Sequence, residues 1–129
     1  MAYSRVIQIE FCHCDPAGIV FYPRYAEMVN HVVENYFIDV LKHPFHQMVA
    51  AGQGIPAVRL EMDFRKPSRL GDRVEWVLGV EHLGRSSIRF RLNAEDRIDA
   101  RVTVVWMEAG FKPSAIPDTI RKILEADHA

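Results

Sequence analysis

One stretch of this chain combines residue types suited to chemistry: His13-Cys14-Asp15-Pro16-Ala17-Gly18-Ile19-Val20-Phe21-Tyr22-Pro23-Arg24-Tyr25. It sets a carboxylate, Asp15, a few residues ahead of a helix start at Pro23. The free backbone N–H groups at a helix start carry partial positive charge and bind oxyanions. A carboxylate aimed at the same volume acts as a nucleophile or as a general base for water. Together these parts suit acyl transfer, in which a carbonyl is polarised and attacked. The same residues also suit a purely structural reading, with Asp15 bonding loop amides as an Asx turn while Pro16 and Gly18 shape the chain.

The elements that must hold this stretch follow from hydrophobic periodicity. Arg5–Phe11 reads as a short strand, with Ile7, Ile9 and Phe11 alternating against Gln8 and Glu10. From Pro23 the spacing changes to three and four. Tyr25, Met28, Val29, Val32, Val33 and Tyr36 begin an apolar face that continues to Leu41, a helix of about five turns. Pro23 suits its first position, and Pro44 marks its end. A weaker helical stretch covers Phe45–Ala51 before Gly52 and Gly54.

Beyond Pro56 the period falls to two. Val58, Leu60, Met62 and Phe64 predict a half-buried strand, followed by a loop over Pro67–Asp72. Strands follow through Val74–Val80 and Ile88–Ala94, with a turn at Gly84–Ser86 between them. A tight turn near Asp96-Arg97 leads to a last strand with Ala100, Val102, Val104 and Trp106 on one face. A short helix from about Pro117 to Glu125 closes the chain. Short connections imply antiparallel pairing, and one long helix is available to cover the apolar sheet face. The expected architecture is α+β, a curved antiparallel five-stranded sheet wrapped around Pro23–Leu41 as a single domain over residues 1–129.

Composition narrows the function classes. The 129 residues carry a net charge of −1, which argues against an electrostatically driven nucleic-acid binder. No apolar run approaches the ~20 residues needed to span a bilayer, and the first residues lead into strand-like sequence rather than an apolar leader. A cytoplasmic protein without membrane partners is expected. Cys12 and Cys14 lie too close for a useful disulfide and lack the second ligand pair of a zinc site. The six histidines show no metal-binding helical pair, and no G-x-S-x-G elbow is present. Neither a metal nor a cofactor is expected.

The segment from Asp15 to Tyr25 resembles the active-site motif of the 4-hydroxybenzoyl-CoA thioesterase family, which has the hotdog fold. The order of elements agrees, as do Arg69-Leu70-Gly71-Asp72 and the Lys112-Pro113 and Ile116-Pro117 region. The resemblance implies that Asp15 is the catalytic carboxylate and that the Tyr22 amide polarises the thioester carbonyl, with Gly18 letting the loop approach the substrate. It further implies an acyl-CoA substrate, with 4-hydroxybenzoyl favoured, and a homo-oligomer, dimer or tetramer, with the site between chains. A short-chain aliphatic or acyl-carrier-protein thioester is the alternative substrate, and a non-catalytic acyl-CoA binder the alternative role.

Near the first turns of the helix, Tyr25 and Met28 are candidate walls of an acyl pocket, and equally core residues. Coenzyme A brings phosphates, and twelve of the sixteen basic residues are arginine, whose planar fork suits them. Arg85-Ser86-Ser87 at a strand turn and Arg65-Lys66 at a strand end are the candidate contacts. The last strands and the Arg59–Arg65 face are expected to carry sheet edges needing cover.

Overall fold

A computed structural model describes residues 3–128. Strand β1 (Tyr3–Gln8) is followed by a 3₁₀ turn at Phe11–His13 and the long helix α1 (Pro23–Asp39). A short helix α2 (Phe45–Ala50) precedes four strands: β2 (Ala57–Phe64), β3 (Arg73–Leu83), β4 (Ser87–Ala94) and β5 (Ile98–Val105). Two short strands, β6 (Met107–Glu108) and β7 (Lys112–Pro113), then lead to helix α3 (Asp118–Asp127). The main sheet has the order β1-β3-β4-β5-β2, every neighbouring pair antiparallel.

Alternation sets the layers. Val74, Trp76, Leu78 and Val80 of β3 are buried together with Ile88, Phe90 and Leu92 of β4 and Ala100, Val102 and Val104 of β5. Against them α1 presents Tyr25, Met28, Val29, Val32, Val33, Tyr36 and Phe37, all buried. The spacing of these residues is the three-and-four pattern of the sequence, so one helix face fills the concave side of the sheet. Helix α3 adds Ile120 and Leu124 to the core, and Tyr36 Oη donates to Asp127 Oδ2 at 2.7 Å. The hairpin between β4 and β5 turns at Glu95 and Asp96, both at positive φ (52° and 57°), the geometry that matches the twist of flanking strands.

Three expectations need correction. The first strand ends at Gln8, and Phe11 is 83% exposed rather than inward-facing. Ile9 is bonded instead to the loop before β3, and the Glu10 amide donates to His13 Nδ1, closing the 3₁₀ turn. The last strand stops at Val105, and a small β6–β7 hairpin follows that periodicity over two residues could not signal. Strand β5 is internal, so it carries no edge.

The third correction concerns β2. Its apolar residues do alternate, and Leu60 and Phe64 pair with Val102 and Ile98 on the helix-facing side. Yet β2 is an edge strand lying past the cover of α1, and Val58, Leu60 and Phe64 are exposed. The alternation reports which face is apolar, not whether this chain alone covers it.

Candidate active site

Residues 14–20 form a tight hairpin, with Cys14 bridged to Val20. Its turn is Asp15-Pro16-Ala17-Gly18. The Gly18 amide donates to Asp15 O at 3.0 Å, and the Asp15 amide donates to Ile19 O at 3.0 Å. Each residue type has a local reason. Pro suits the second turn position, and Gly18, at φ 78°, takes the left-handed conformation that the chain needs to rejoin its partner. Asp15 Oδ1 accepts the Ala17 amide at 2.8 Å, so the Asx turn is present. One carboxylate oxygen is thereby committed to the loop, and Oδ2 takes no part in that bond.

Two further contacts fix this hairpin against the sheet. Ile19 is bridged to Arg69, and the Val20 amide donates to Ser68 O. The loop carrying Arg69–Asp72 is itself rigid: the Asp72 carboxylate accepts the Arg69 amide at 2.9 Å and Arg97 Nη1 at 2.8 Å. Those two donors hold Asp72 below the usual carboxylate range, the Arg69 amide contributing most. The Arg69-Leu70-Gly71-Asp72 segment thus serves as the platform for the Asp15 hairpin.

At the start of α1 the donors can be accounted for individually. Phe21 N–H goes to His13 O, Pro23 has none, Arg24 N–H goes to Phe21 O, and Tyr25 N–H goes to Tyr22 O. Among the described residues, no backbone carbonyl takes the Tyr22 amide. Tyr22 is the N-cap of α1, so this open donor sits at the positive end of the helix. Open donors at a helix start are of the kind that bind oxyanions.

Beside it is a cavity of about 220 Å³, walled by Ile19, Val20, Tyr22, Tyr25, Phe64 and Pro67, with Arg65 and Lys66 at its edge. Phe64 packs edge-on to Tyr22 (ring centroids 6.2 Å) and tilted against Tyr25 (5.7 Å), giving an aromatic wall. Asp15 does not line this cavity; Ile19 and Val20 of its hairpin do.

The structure brings Tyr22, Tyr25, Arg65 and Lys66 together, with Gly18 and Asp15 on the adjoining hairpin. Met28 is placed elsewhere: it is buried and lines a second cleft of about 480 Å³ between β1 and α1, with His13, Glu27 and His31. Arg85, Ser86 and Ser87 are also apart. They form the β3–β4 turn at the opposite end of β3 from Arg73 and the Asp72 loop. Their carbonyls tie down the C-terminal segment, Arg85 O accepting Ile116 N–H and Ser86 O accepting Trp106 N–H.

Two residues that bear on the site escaped sequence reading. Phe64 reads as core from its alternation, and only the edge position of β2 turns it into a cavity wall. Asp99 reads as a solvent-facing residue between Ile98 and Ala100, yet it is 5% exposed and meets three arginines.

One group of potential metal donors occurs among the described residues: Glu10, Cys12 and His13 lie within 4.8 Å of one another. His13 Nδ1 already accepts the Glu10 amide at 2.8 Å, so the neutral ring carries its proton on Nε2 and has no lone pair left for a metal. Both cysteines are free thiols. No helix among the described residues is long and apolar enough to cross a membrane.

Comparison with known proteins fits this geometry. A stretch of 51 residues is 45% identical to the 4-hydroxybenzoyl-CoA thioesterase of Pseudomonas sp. (strain CBS-3), covering 38% of this chain and 36% of that relative. The matched stretch is therefore little more than a third of that protein's length. Among solved structures, a thioesterase superfamily protein from Jannaschia sp. CCS1 superposes with TM-score 0.90 at 25% identity, covering 99% of this chain and 94% of that one. A 1,4-dihydroxy-2-naphthoyl-CoA thioesterase from Synechocystis, at 17% identity, shares the fold over the full length of both chains with TM-score 0.85. The sequence profile of the Thioesterase superfamily matches residues 17–108, beginning just after Asp15 and running through all of α1 and the four strands that follow. With a five-stranded antiparallel sheet around one long helix and a family match over most of its length, the chain belongs to the Thioesterase superfamily and has the hotdog fold.

Proposed function

We propose that the protein hydrolyses an acyl-CoA thioester to the free acid and coenzyme A, with an aromatic acyl group such as 4-hydroxybenzoyl preferred. The observation that carries this reading is the open Tyr22 amide at the N-terminus of α1, set beside an aromatic-walled cavity and next to the hairpin of Asp15. The thioester oxygen accepts the Tyr22 N–H, so charge that builds on it in the transition state meets an oriented dipole. The uncommitted oxygen of Asp15 then attacks the carbonyl carbon to give a mixed anhydride that water opens, or takes a proton from an attacking water. Coenzyme A departs as thiolate, a good leaving group, so no strong general acid is required.

Substrate preference rests on shape. The rings of Tyr22, Tyr25 and Phe64 offer flat faces and edges to an aromatic acyl group, which gains beyond simple burial. The activity for which the Pseudomonas relative is named, on 4-hydroxybenzoyl-CoA, supports the same class.

The working unit in this reading is an oligomer. An edge strand with exposed Val58, Leu60 and Phe64 is the feature a second copy would cover. Antiparallel pairing of two β2 strands about a twofold axis sets Ala57 of one copy beside Phe64 of the other. Ala57 registers with Val104, and Val105 registers with Ser87 on β4. The 84–87 turn of the second copy then lies about 14 Å, three strand spacings, from the edge beside the cavity. That arrangement brings Arg85, Ser86 and Ser87 of the second copy toward the coenzyme A portion of a substrate whose carbonyl sits at Tyr22.

The test is a panel of acyl-CoA esters. A kcat/KM for 4-hydroxybenzoyl-CoA well above that for butyryl-CoA is expected, and equal or reversed values would refute the aromatic preference. Absence of turnover with every thioester, acyl-carrier-protein esters included, would refute the hydrolase reading itself.

A further inference from the structure

The convex face of the sheet holds a cluster that the hydrolytic site does not use. Asp99 on β5 is one of two buried polar or charged residues among those described, and it points to the face away from α1. Arg91 grips it with two prongs, Nε to Oδ1 at 3.2 Å and Nη2 to Oδ2 at 3.3 Å. Arg65 Nη2 reaches Oδ2 at 3.4 Å, and Arg101 Nη1 lies at 4.0 Å. The cross-strand neighbour of Asp99 on β2 is Asp63, a like charge that the arginines must offset.

These cations are not equally engaged. Arg101 is turned toward Glu81, its Nε donating at 3.0 Å. That leaves Arg65 and Arg91 on Asp99, and Lys66, which follows Arg65 and lines the cavity, adds a further positive charge at that end of the strip. The side chains of Arg65 and Arg91 are about half exposed, 51% and 50%. Each guanidinium has five N–H donors, and Asp99 occupies only some of them. One buried carboxylate therefore fixes two half-exposed forks side by side with donors facing solvent. A buried ion pair of this kind adds little to stability by itself, because desolvation cancels most of its attraction. Organising two forks for an external anion is a use that such a carboxylate can serve.

Position links the cluster to the site. Arg65 also borders the Tyr22 cavity, and its backbone is pinned by the bond from its amide to Arg97 O at 2.7 Å. The strip thus begins where the cavity opens and runs outward over β2, β5 and β4. From this placement we infer that Arg65 and Arg91, held by Asp99 as a positioning residue, form a binding site for the phosphate groups of the thioester substrate. The inference rests on the acyl-CoA reading for its substrate class, and it assigns the polyanionic end of that substrate to this face.

The test is calorimetric and needs no turnover: binding of coenzyme A and of pantetheine, which lacks the phosphates, to the wild type and to Arg65→Gln, Arg91→Gln and Asp99→Asn. Each arginine variant is expected to weaken coenzyme A by about tenfold relative to its effect on pantetheine, the size of one charge-assisted contact. Asp99→Asn is expected to do the same, and adding Arg65→Gln to it should cost much less than Arg65→Gln alone, because the fork is already released. Should Arg91→Gln, which strips the buried Asp99 carboxylate of its main partner, fail to fold, Arg65→Gln, which leaves Arg91 on Asp99, still decides the matter. An unchanged ratio of coenzyme A to pantetheine affinity in the arginine variants would overturn the inference, as would a wild type that does not distinguish the two ligands. A wild type that hydrolyses no thioester but shows the predicted ratios would overturn the hydrolase reading and leave the phosphate site standing.

Discussion

Asp15 Oδ1 accepts the amide hydrogen of Ala17 at 2.8 Å, so the carboxylate proposed to act on substrate also closes the turn that carries it. Asparagine keeps an acceptor oxygen at that position and alanine does not. Asp15→Asn is therefore expected to unfold at a denaturant midpoint close to that of the wild type. Asp15→Ala should lose about 1 kcal/mol, the contribution of one such bond. Urea titrations of the two variants check this, and an equal loss in both would show that the bond is not what orders the hairpin.

Gly18 provides a second local test. It sits at φ 78°, and nothing lies within 4 Å of the point where a β-carbon would stand, so a side chain there meets no neighbour and only the backbone objects. Gly18→Ala is expected to cost about 1 kcal/mol. Gly79, in β3 with equally open surroundings and no positive φ, is the control. Gly79→Ala should be neutral or stabilising by about 0.5–1 kcal/mol, since glycine weakens a strand interior. Stability curves for the pair separate backbone conformation from simple crowding.

A pH dependence follows from His31. Arg5 Nε donates to His31 Nε2 at 3.0 Å, an arrangement that requires the neutral ring. Burial, and then the Arg5 charge, holds His31 below the usual imidazole range. The unfolded chain consequently binds a proton at this residue more readily than the folded one. Stability conferred by His31 is complete above the ordinary value of about 6.5 and is lost as pH falls below it toward the depressed folded value. His31→Gln should reduce the difference in stability between pH 7.5 and pH 5.5. Asp72 and Asp99, both shifted downward, act only at lower pH and leave this window clear. An unaltered difference in the variant would contradict the assignment.

The exposed β2 edge makes a prediction about assembly. Leu60→Glu places a charge on the helix-facing side of that strand, where the wild-type residue is already exposed within one chain. The isolated subunit should tolerate it, while burial against a second copy should not, an unpaired buried charge being costly. Sedimentation is expected to show the wild type as a dimer or larger and the variant at the 14.8 kDa of one chain. Activity should fall with the mass. A variant that sediments as the wild type does would place the interface elsewhere.

The sequence carried the elements well where a run was long enough to show its period. Pro23 and the three-and-four spacing after it announce α1, and the alternation of Val74 to Val80 announces β3. The turn chemistry of Asp15-Pro16-Ala17-Gly18 was equally readable, because each residue's preference is local. What stayed hidden depends on neighbours distant in the chain. The exposure of Leu60 and Phe64 follows from strand order, which alternation does not encode. The burial of Asp99 depends on Arg65 and Arg91 arriving from two other strands. The separation of Arg85 from Tyr22 follows from the length of β3.

The central claim is that Asp15 carries out the chemistry while the Tyr22 amide holds the oxyanion. Its most direct test is kcat for hydrolysis of 4-hydroxybenzoyl-CoA by the wild type and by Asp15→Asn, with matched circular dichroism spectra and sedimentation confirming an intact assembly. Loss of the carboxylate is expected to lower kcat by about 10²–10⁴-fold, the usual contribution of a positioned base. Hydrolysis by Asp15→Asn within about tenfold of the wild type, below that range, would contradict the account.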